Sequence, residues 1–286
     1  MALVSQAGDA YIGASKMDDG ARAATEAAMV QGNSNWIGLW TLYMREVRRF
    51  VKVYTQTVVA PIITTLLFLA VFSLALGGTT RVVNGVPFAE FLAPGLIMMA
   101  MAQNAFANTS SSIIISKVQG NIIDTLMPPF TARELTLGIA LGGATRGVFV
   151  GFFVALAMSL FVDMKISHPA FIIYHAVMAS LMLSLLGTIG GIWSEKFDHI
   201  AAVTNFVITP LSFLSGTFYS IQRLPETAQI AAHFNPFFYM IDGFRYGFIG
   251  QADGSTMGGI AVMAMTNLFL WAVCTSLFAR GYKLKA

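Results

Sequence analysis

The sequence predicts an all-α membrane protein with six transmembrane helices, a cytosolic N-terminal amphipathic interface helix, and re-entrant outer-leaflet helices before the last span. Three observations predict it. Only 11% of the 286 residues are charged and 56% are hydrophobic, where a soluble domain carries about 25% charged residues. Six segments reach the roughly 20 apolar residues needed to cross a hydrocarbon core. Lys and Arg concentrate on one side of those segments, which sets their orientation.

In chain order, residues 1–34 are rich in Ala, Gly, Ser, Asp and Gln and lack the apolar core of a secretory signal. They read as a flexible cytosolic leader, and 35–286 as the membrane domain. Trp36 to Tyr54 follows. Trp36, Trp40, Tyr43, Val47, Phe50 and Tyr54 recur every three or four residues, with Thr41, Arg45, Arg48 and Lys52 on the opposite face. That pattern suits a helix lying in the cytosolic interface. The other reading is a juxtamembrane stop segment whose cations only set topology.

The spans are Val58 to Leu76, Phe91 to Ile115, Thr136 to Val162, Ala170 to Trp193, Ile200 to Phe218 and Met257 to Phe278. Ten cations (Arg45, Arg48, Arg49, Lys52, Lys117, Arg133, Lys196, Arg280, Lys283, Lys285) fall on one side of them. Four (Arg81, Lys165, Arg223, Arg245) fall on the other. Both termini are therefore expected in the cytosol. Leu224 to Gly250 is too charged for a seventh span, and Asn235-Pro236 breaks it, so it reads as two short helices that dip and return. Asp242 and Arg245 are three apart and are expected to pair on one helix.

The loop Lys117 to Glu134 holds a short helix at Asn121, Ile122, Ile123, Asp124, Thr125, Leu126 and Met127, stopped by Pro128-Pro129. Ile122, Ile123, Leu126 and Met127 on the cytosolic side suggest a docking surface, and a connector packed on its own spans is equally open. Arg146 lies inside the third apolar segment and either snorkels to the interface or faces a hydrated path and meets anionic substrate. Asn104, Asn108 and Thr109 to Ser112 bond neighbouring helices or line a path. Gly143, Gly147 and Gly151 form a ridge that permits close helix approach. Phe218, Tyr219, Phe237 and Phe238 belong to an aromatic crowd that reads as an interfacial belt, or as a stacking surface at an outer gate.

Other function classes are poorly supplied. The chain has no Gly-x-x-x-x-Gly-Lys-Ser/Thr phosphate loop. Its single cysteine, Cys274, precludes an internal disulfide framework or a cysteine metal cluster. Its four histidines are not spaced as ligands, so no metal site and no catalytic residues are expected. A net charge of +3 makes no case for nucleic acid. Carboxylates at membrane depth are scarce, which leaves an ion-coupled transporter without obvious carriers.

Pro210-Leu-Ser-Phe-Leu-Ser-Gly-Thr-Phe-Tyr-Ser-Ile-Gln-Arg-Leu-Pro225, followed by Asn235-Pro236 and Asp242-Gly-Phe-Arg245, resembles the ABC-2 family of transporter permeases. Gly120-Asn-Ile-Ile-Asp-Thr-Leu-Met-Pro-Pro129 resembles that family's coupling region. Within the family the likeness is to the YadH-type permeases and to exporters of nodulation oligosaccharide, capsule and O-antigen. The resemblance implies a multi-pass protein of the bacterial inner membrane that works as two copies beside two copies of an ABC ATPase subunit. ATP and Mg would then sit on that partner, with no cofactor on this chain. It places the ATPase contacts on Trp36 to Tyr54, with Arg45, Arg48 and Arg49, and on Asn121 to Met127. It places an outer cap on Leu224 to Gly250. The expected function is export of an amphipathic substrate: a lipid, lipid-linked glycan or hydrophobic drug. An ion-coupled secondary transporter and a non-transporting scaffold are the alternatives.

Overall fold

The structure, a computed structural model, describes residues 36–77, 82–83, 85–126 and 130–284. The leader 1–34, Arg81, Met127 and Lys285 lie outside them, as does the side chain of Leu126. The described residues are all-α apart from one two-residue hairpin.

Helix α1 spans Trp36–Val51 and packs chiefly against α5 (Ala132–Met158). The buried residues of α1 are Leu42, Glu46 and Phe50, whereas Trp36 and Trp40 are 72% and 61% exposed. The expected apolar face is therefore divided. Phe50 turns inward, while the two tryptophans and Tyr54 turn away from the protein. The cause lies in α5. A Cβ at Gly142 would collide with Glu46, so the bare backbone there admits α1 closely along its Leu42–Glu46 line. Indole rings are too large for that groove, and they suit the lipid interface instead.

A turn leads into α2 (Ala60–Phe72), flanked by π-helical turns Thr55–Val59 and Ser73–Gly77. Strands β1 (Val82–Val83) and β2 (Val86–Pro87) pair antiparallel, a hairpin that the apolar pattern does not signal. Then comes α3 (Phe88–Val118), 31 residues long, or about 46 Å at the usual rise. Helix α4 (Ile122–Leu126) is a single short piece. It does not present all its apolar residues to the cytosol as expected. Ile122 is buried with Leu42, Leu135, Ile139 and Leu284, while Ile123 stays 60% exposed. So short a helix shows one side to the protein, and Ile122 fills the gap beneath α1 and α5.

Thr131 and Glu134 cap α5 reciprocally, the Thr131 hydroxyl accepting the Glu134 N–H and the Glu134 carboxylate accepting the Thr131 N–H. Helix α6 spans Pro169–Trp193. The next membrane-length stretch joins α7 (Phe197–Val203), a π-helical turn, α8 (Thr209–Ser212) and a second π-helical turn, Phe213–Thr217. Helices α9 (Glu226–His233) and α10 (Pro236–Ile249) meet at Asn235, whose side chain accepts the Phe237 N–H and caps α10. The break is where Asn235-Pro236 places it. Helix α11 (Thr256–Arg280) closes the described fold.

Among the described residues, five helices are long and apolar enough to cross a membrane: Thr55–Ala75, Ala132–Met158, Pro169–Trp193, Phe197–Thr217 and Thr256–Arg280. Helix α3 is longer than any of them, but Gln103, Asn104, Asn108 and the Thr109–Ser112 run dilute it. It tolerates these groups because it is wrapped by α5, α6 and α10 rather than by lipid. Some of its hydroxyls bond across helices, Thr109 Oγ1 donating to the Ser184 carbonyl at 2.7 Å, while those of Ser110 and Ser116 donate to carbonyls of α3 itself. Close approach depends on small residues. A Cβ at Gly147 would lie 2.7 Å from Ser180 Oγ. The Gly143–Gly147–Gly151 ridge therefore packs within the chain, onto α3 and α6.

Candidate functional site

Three polar regions stand out in an otherwise apolar molecule. The first is a half-open cleft of about 810 Å³ between α1, the first span, α3, α5 and α8. It follows α3 from Ile115 to Leu96, a length of roughly 28 Å at helical rise. Its two ends differ. One is lined by Arg49, Asn108, Ser111, Arg146, Asn104 and Gln103. The other is lined by Phe68, Leu96, Met99 and Phe213. Thr64 and Thr65 lie between, but their hydroxyls are turned back onto the Ala60 and Pro61 carbonyls.

Arg146 does not run free to the interface. Its Nη2 donates to Asn104 Oδ1 at 3.2 Å, and the Asn104 amide is itself fixed by the Ala100 carbonyl at 3.0 Å. Arg146 thus lines the cleft beside Asn104.

The second region joins the cleft to α4 and the outward face of α1. Glu46 is 1% exposed and gathers three helices. Its Oε1 accepts from Arg45 Nη2 at 3.1 Å and from Ser112 Oγ of α3 at 2.9 Å. Its Oε2 lies 3.1 Å from Arg49 Nη2, an ion pair without hydrogen-bond alignment. Arg45 also donates to Thr125 Oγ1 of α4 at 3.0 Å. Arg49 turns into the cleft. It donates to Ser111 Oγ at 3.1 Å, to Asn108 Oδ1 at 3.0 Å and to the Asn108 carbonyl. Burial lowers the Arg49 pKa from its usual value, and Glu46 opposes that shift. One continuous set of contacts thus runs from Thr125 through Arg45 and Glu46 to Arg49 and α3.

The third region is at the other end of α3. Asp242 and Arg245 are buried, but their partners are backbone groups rather than each other. The Asp242 carboxylate accepts the Asp253 and Gly254 N–H groups at 2.8 and 3.0 Å. Arg245 donates to the carbonyls of Phe91 at 3.2 Å, Gly216 at 2.7 Å and Thr217 at 3.3 Å, and lies over the Phe91 ring. The expected helical pair is replaced because a guanidinium fork reaches three carbonyls at once. Phe218 packs against Phe72, with centroids 4.4 Å apart, and Tyr219 donates to the Leu214 carbonyl. Phe237 and Phe238 are buried in the core rather than forming an exposed belt.

Among the expected docking residues, Arg48, Asn121, Ile123 and Asp124 are exposed, Arg45 is half-exposed, and Thr125 and Ile122 are buried. Sequence reasoning missed Glu46. A usable signal existed: it is the single carboxylate of α1, one turn from Leu42 and Phe50. It also missed Asp253, whose carboxylate accepts from Ser220 Oγ and the Ile221 N–H, a link no local pattern announces. Among the described residues, no group of three or more His, Cys, Asp or Glu could hold a metal ion.

Comparison with known proteins adds a family. The family described as ABC-2 type transporter matches residues 38–249. The inner membrane transport permease YadH of Escherichia coli (strain K12) is 36% identical over 251 residues, covering 88% of this chain and 98% of that protein. More distant relatives include nodulation protein J of Rhizobium leguminosarum bv. viciae, 23% identical over 258 residues, covering 89% of this chain and 97% of that protein. Nodulation protein J of Rhizobium meliloti is also 23% identical, over 253 residues, covering 85% and 94%.

Proposed function

The chain belongs to the ABC-2 type transporter family, and on that premise we propose that it is the membrane-spanning permease subunit of an ATP-driven exporter. Its cargo is an amphipathic molecule, and a separate ATPase subunit binds ATP and Mg. It works as two copies beside two ATPase copies. It lies in the inner membrane, as the name of the 36%-identical relative suggests, with six spans and both termini cytosolic. Helix α3 is the sixth span, and α9 and α10 are re-entrant in the outer leaflet. The chain itself performs no hydrolysis.

The observation that carries this reading is the amphipathic cleft and its link to the cytosolic side. A pathway for an amphipath needs a polar end and an apolar end in one continuous space, and the cleft has both. A permease driven from outside the membrane needs its energy-accepting surface joined to that space. Ile123, Asp124 and Arg48 form the exposed surface. The Thr125–Arg45–Glu46–Arg49 contacts connect it inward. An ATPase pressing on α4 and α1 would displace α3 through Glu46 and Ser112.

The test is flux in liposomes containing the chain and its ATPase. We expect movement of a fluorescent phospholipid or drug that requires ATP and survives ionophores. Flux that follows an ion gradient and ignores ATP would overturn the reading in favour of an ion-coupled transporter.

A further inference from the structure

The charge of the cleft is not balanced from within. Among the described residues lining it there is no Asp or Glu, while Arg49 and Arg146 both line it. The one carboxylate nearby, Glu46, is already shared between Arg45, Arg49 and Ser112. Arg146 has a single neutral acceptor, Asn104 Oδ1. Three buried nitrogens of residues on this wall have no acceptor among the described residues: Arg146 Nε, Arg49 Nε and Asn108 Nδ2. A buried donor without a partner is costly, and a cation at membrane depth without a counter-charge more so. The guanidinium groups that line the cleft gain a counter-charge from within it only when a negatively charged group enters. The far end of the same cleft has no charged side chain among its described lining residues Phe68, Leu96, Met99, Thr209 and Phe213, and the Thr64 and Thr65 hydroxyls beside it are bonded to their own backbone.

We propose that this cleft is a binding site for an amphipathic anion, a phosphate-, sulfate- or carboxylate-bearing lipid or lipid-linked molecule. Its charged head sits between Arg49 and Arg146, and its apolar part lies against Phe68, Leu96 and Phe213. A neutral amphipath would fill the apolar end but leave both guanidiniums short of acceptors. A cationic one would be repelled. The acidic head also explains why Arg146 interrupts an otherwise apolar helix. As the identity of the exported cargo, this rests on the exporter reading. As a binding site, it does not.

The experiment keeps the two apart by using no ATP and no ATPase. The purified full chain is placed in phosphatidylcholine nanodiscs and titrated with dodecyl phosphate, dodecyl maltoside and dodecyltrimethylammonium. Binding is read by displacement of a fluorescent fatty acid. We expect dodecyl phosphate to bind at least tenfold more tightly than the other two, the difference typical of one charge-assisted hydrogen bond. Arg146→Gln should reduce that preference to within about twofold, and Arg146→Lys should keep part of it. Arg280→Gln, at the far end of α11, should keep all of it. The proposal is overturned if the three amphiphiles bind alike, or if the preference survives Arg146→Gln. It is also overturned if inorganic phosphate alone displaces the probe, because the site would then take a free anion. Selective binding to monomer that vanishes on dimerisation would overturn it as well, showing that a second copy supplies the missing negative charge.

Discussion

Two buried charged clusters sit at opposite ends of α3, and they are built differently. Around Arg245 and Asp242 every charge is held by backbone groups: three carbonyls on one side and two N–H groups on the other. Around Glu46, Arg49 and Arg146 the partners are side chains apart from the Asn108 carbonyl, and several nitrogens have none among the described residues. Backbone cannot rearrange without moving a helix, whereas side chains exchange partners by rotating. The first cluster therefore fixes α10 and the Phe213–Thr217 turn against α3. The second leaves room for a ligand and for motion.

If that contrast holds, the largest effect belongs to the saturated cluster. Arg245→Leu would orphan three carbonyls and should cost about 3–5 kcal/mol. The protein should lose its monodisperse peak after detergent extraction. Arg245→Lys should rescue little, since one ammonium cannot reproduce a fork to three acceptors. Near-normal thermal stability of both variants would break the comparison.

Glu46→Ala comes next. It leaves Arg49 buried without its counter-charge and removes the link between α4 and α3. Because Arg49 and Arg45 keep some exposure, solvent limits the loss to about 2 kcal/mol, measurable as a drop in melting temperature.

Arg146→Gln should be milder still, within about 1 kcal/mol of the parent, because its hydrogen-bond partner among the described residues is one amide oxygen. A large destabilisation would mean that Arg146 is a structural residue like Arg245.

The smallest effect is at the surface. Lys283 Nζ lies 2.8 Å from the Glu195 carboxylate and 6.0 Å from the Trp193 ring. The hydrogen bond from Lys283 lowers the Glu195 pKa, and the same bond raises that of Lys283. The stabilisation from Glu195 is present above the ordinary carboxylate range and is lost as pH falls through its lowered value. That from Lys283 is present below the ordinary lysine range and is lost as pH rises through its raised value. The Trp193 emission should therefore change at both extremes in the parent and at neither in Lys283→Met, with no change in melting temperature at neutral pH. Indifference of Trp193 to pH would show that the tail is not held there.

Much of this was legible in the sequence, and the reason is local. Five of the six apolar segments appear, among the described residues, as helices long and apolar enough to cross a membrane, within a few residues of their expected ends. The Phe91 to Ile115 segment lies within the longer, more polar α3. An apolar run of about 20 residues is itself the signal. The break at Asn235-Pro236 was legible for a similar reason: Pro suits the first turn of a helix, and Asn caps it. What could not be read depends on partners distant in sequence. The Trp36–Trp40 stripe gave the helix but not the direction it faces, which Gly142 decides from about a hundred residues away. Asp242 and Arg245 had the spacing of a pair, yet Gly216, Phe91 and Asp253 offered better partners. Glu46 was hidden among four cations, and Ser112, Thr125 and the arginines meet around it only after folding.

The most direct test of the account is ATP hydrolysis by the proposed ATPase partner reconstituted with the chain, measured with and without added amphiphile, in the parent and in Glu46→Gln. That variant keeps the shape of the side chain and the Oε1 acceptor for Arg45 and Ser112, and replaces the charged Oε2 facing Arg49 by an uncharged NH2 group. We expect the complex to assemble and hydrolyse ATP in both, but the amphiphile to stimulate hydrolysis in the parent alone. Equal stimulation in the two would contradict the claim that Glu46 joins the cytosolic surface to the cleft.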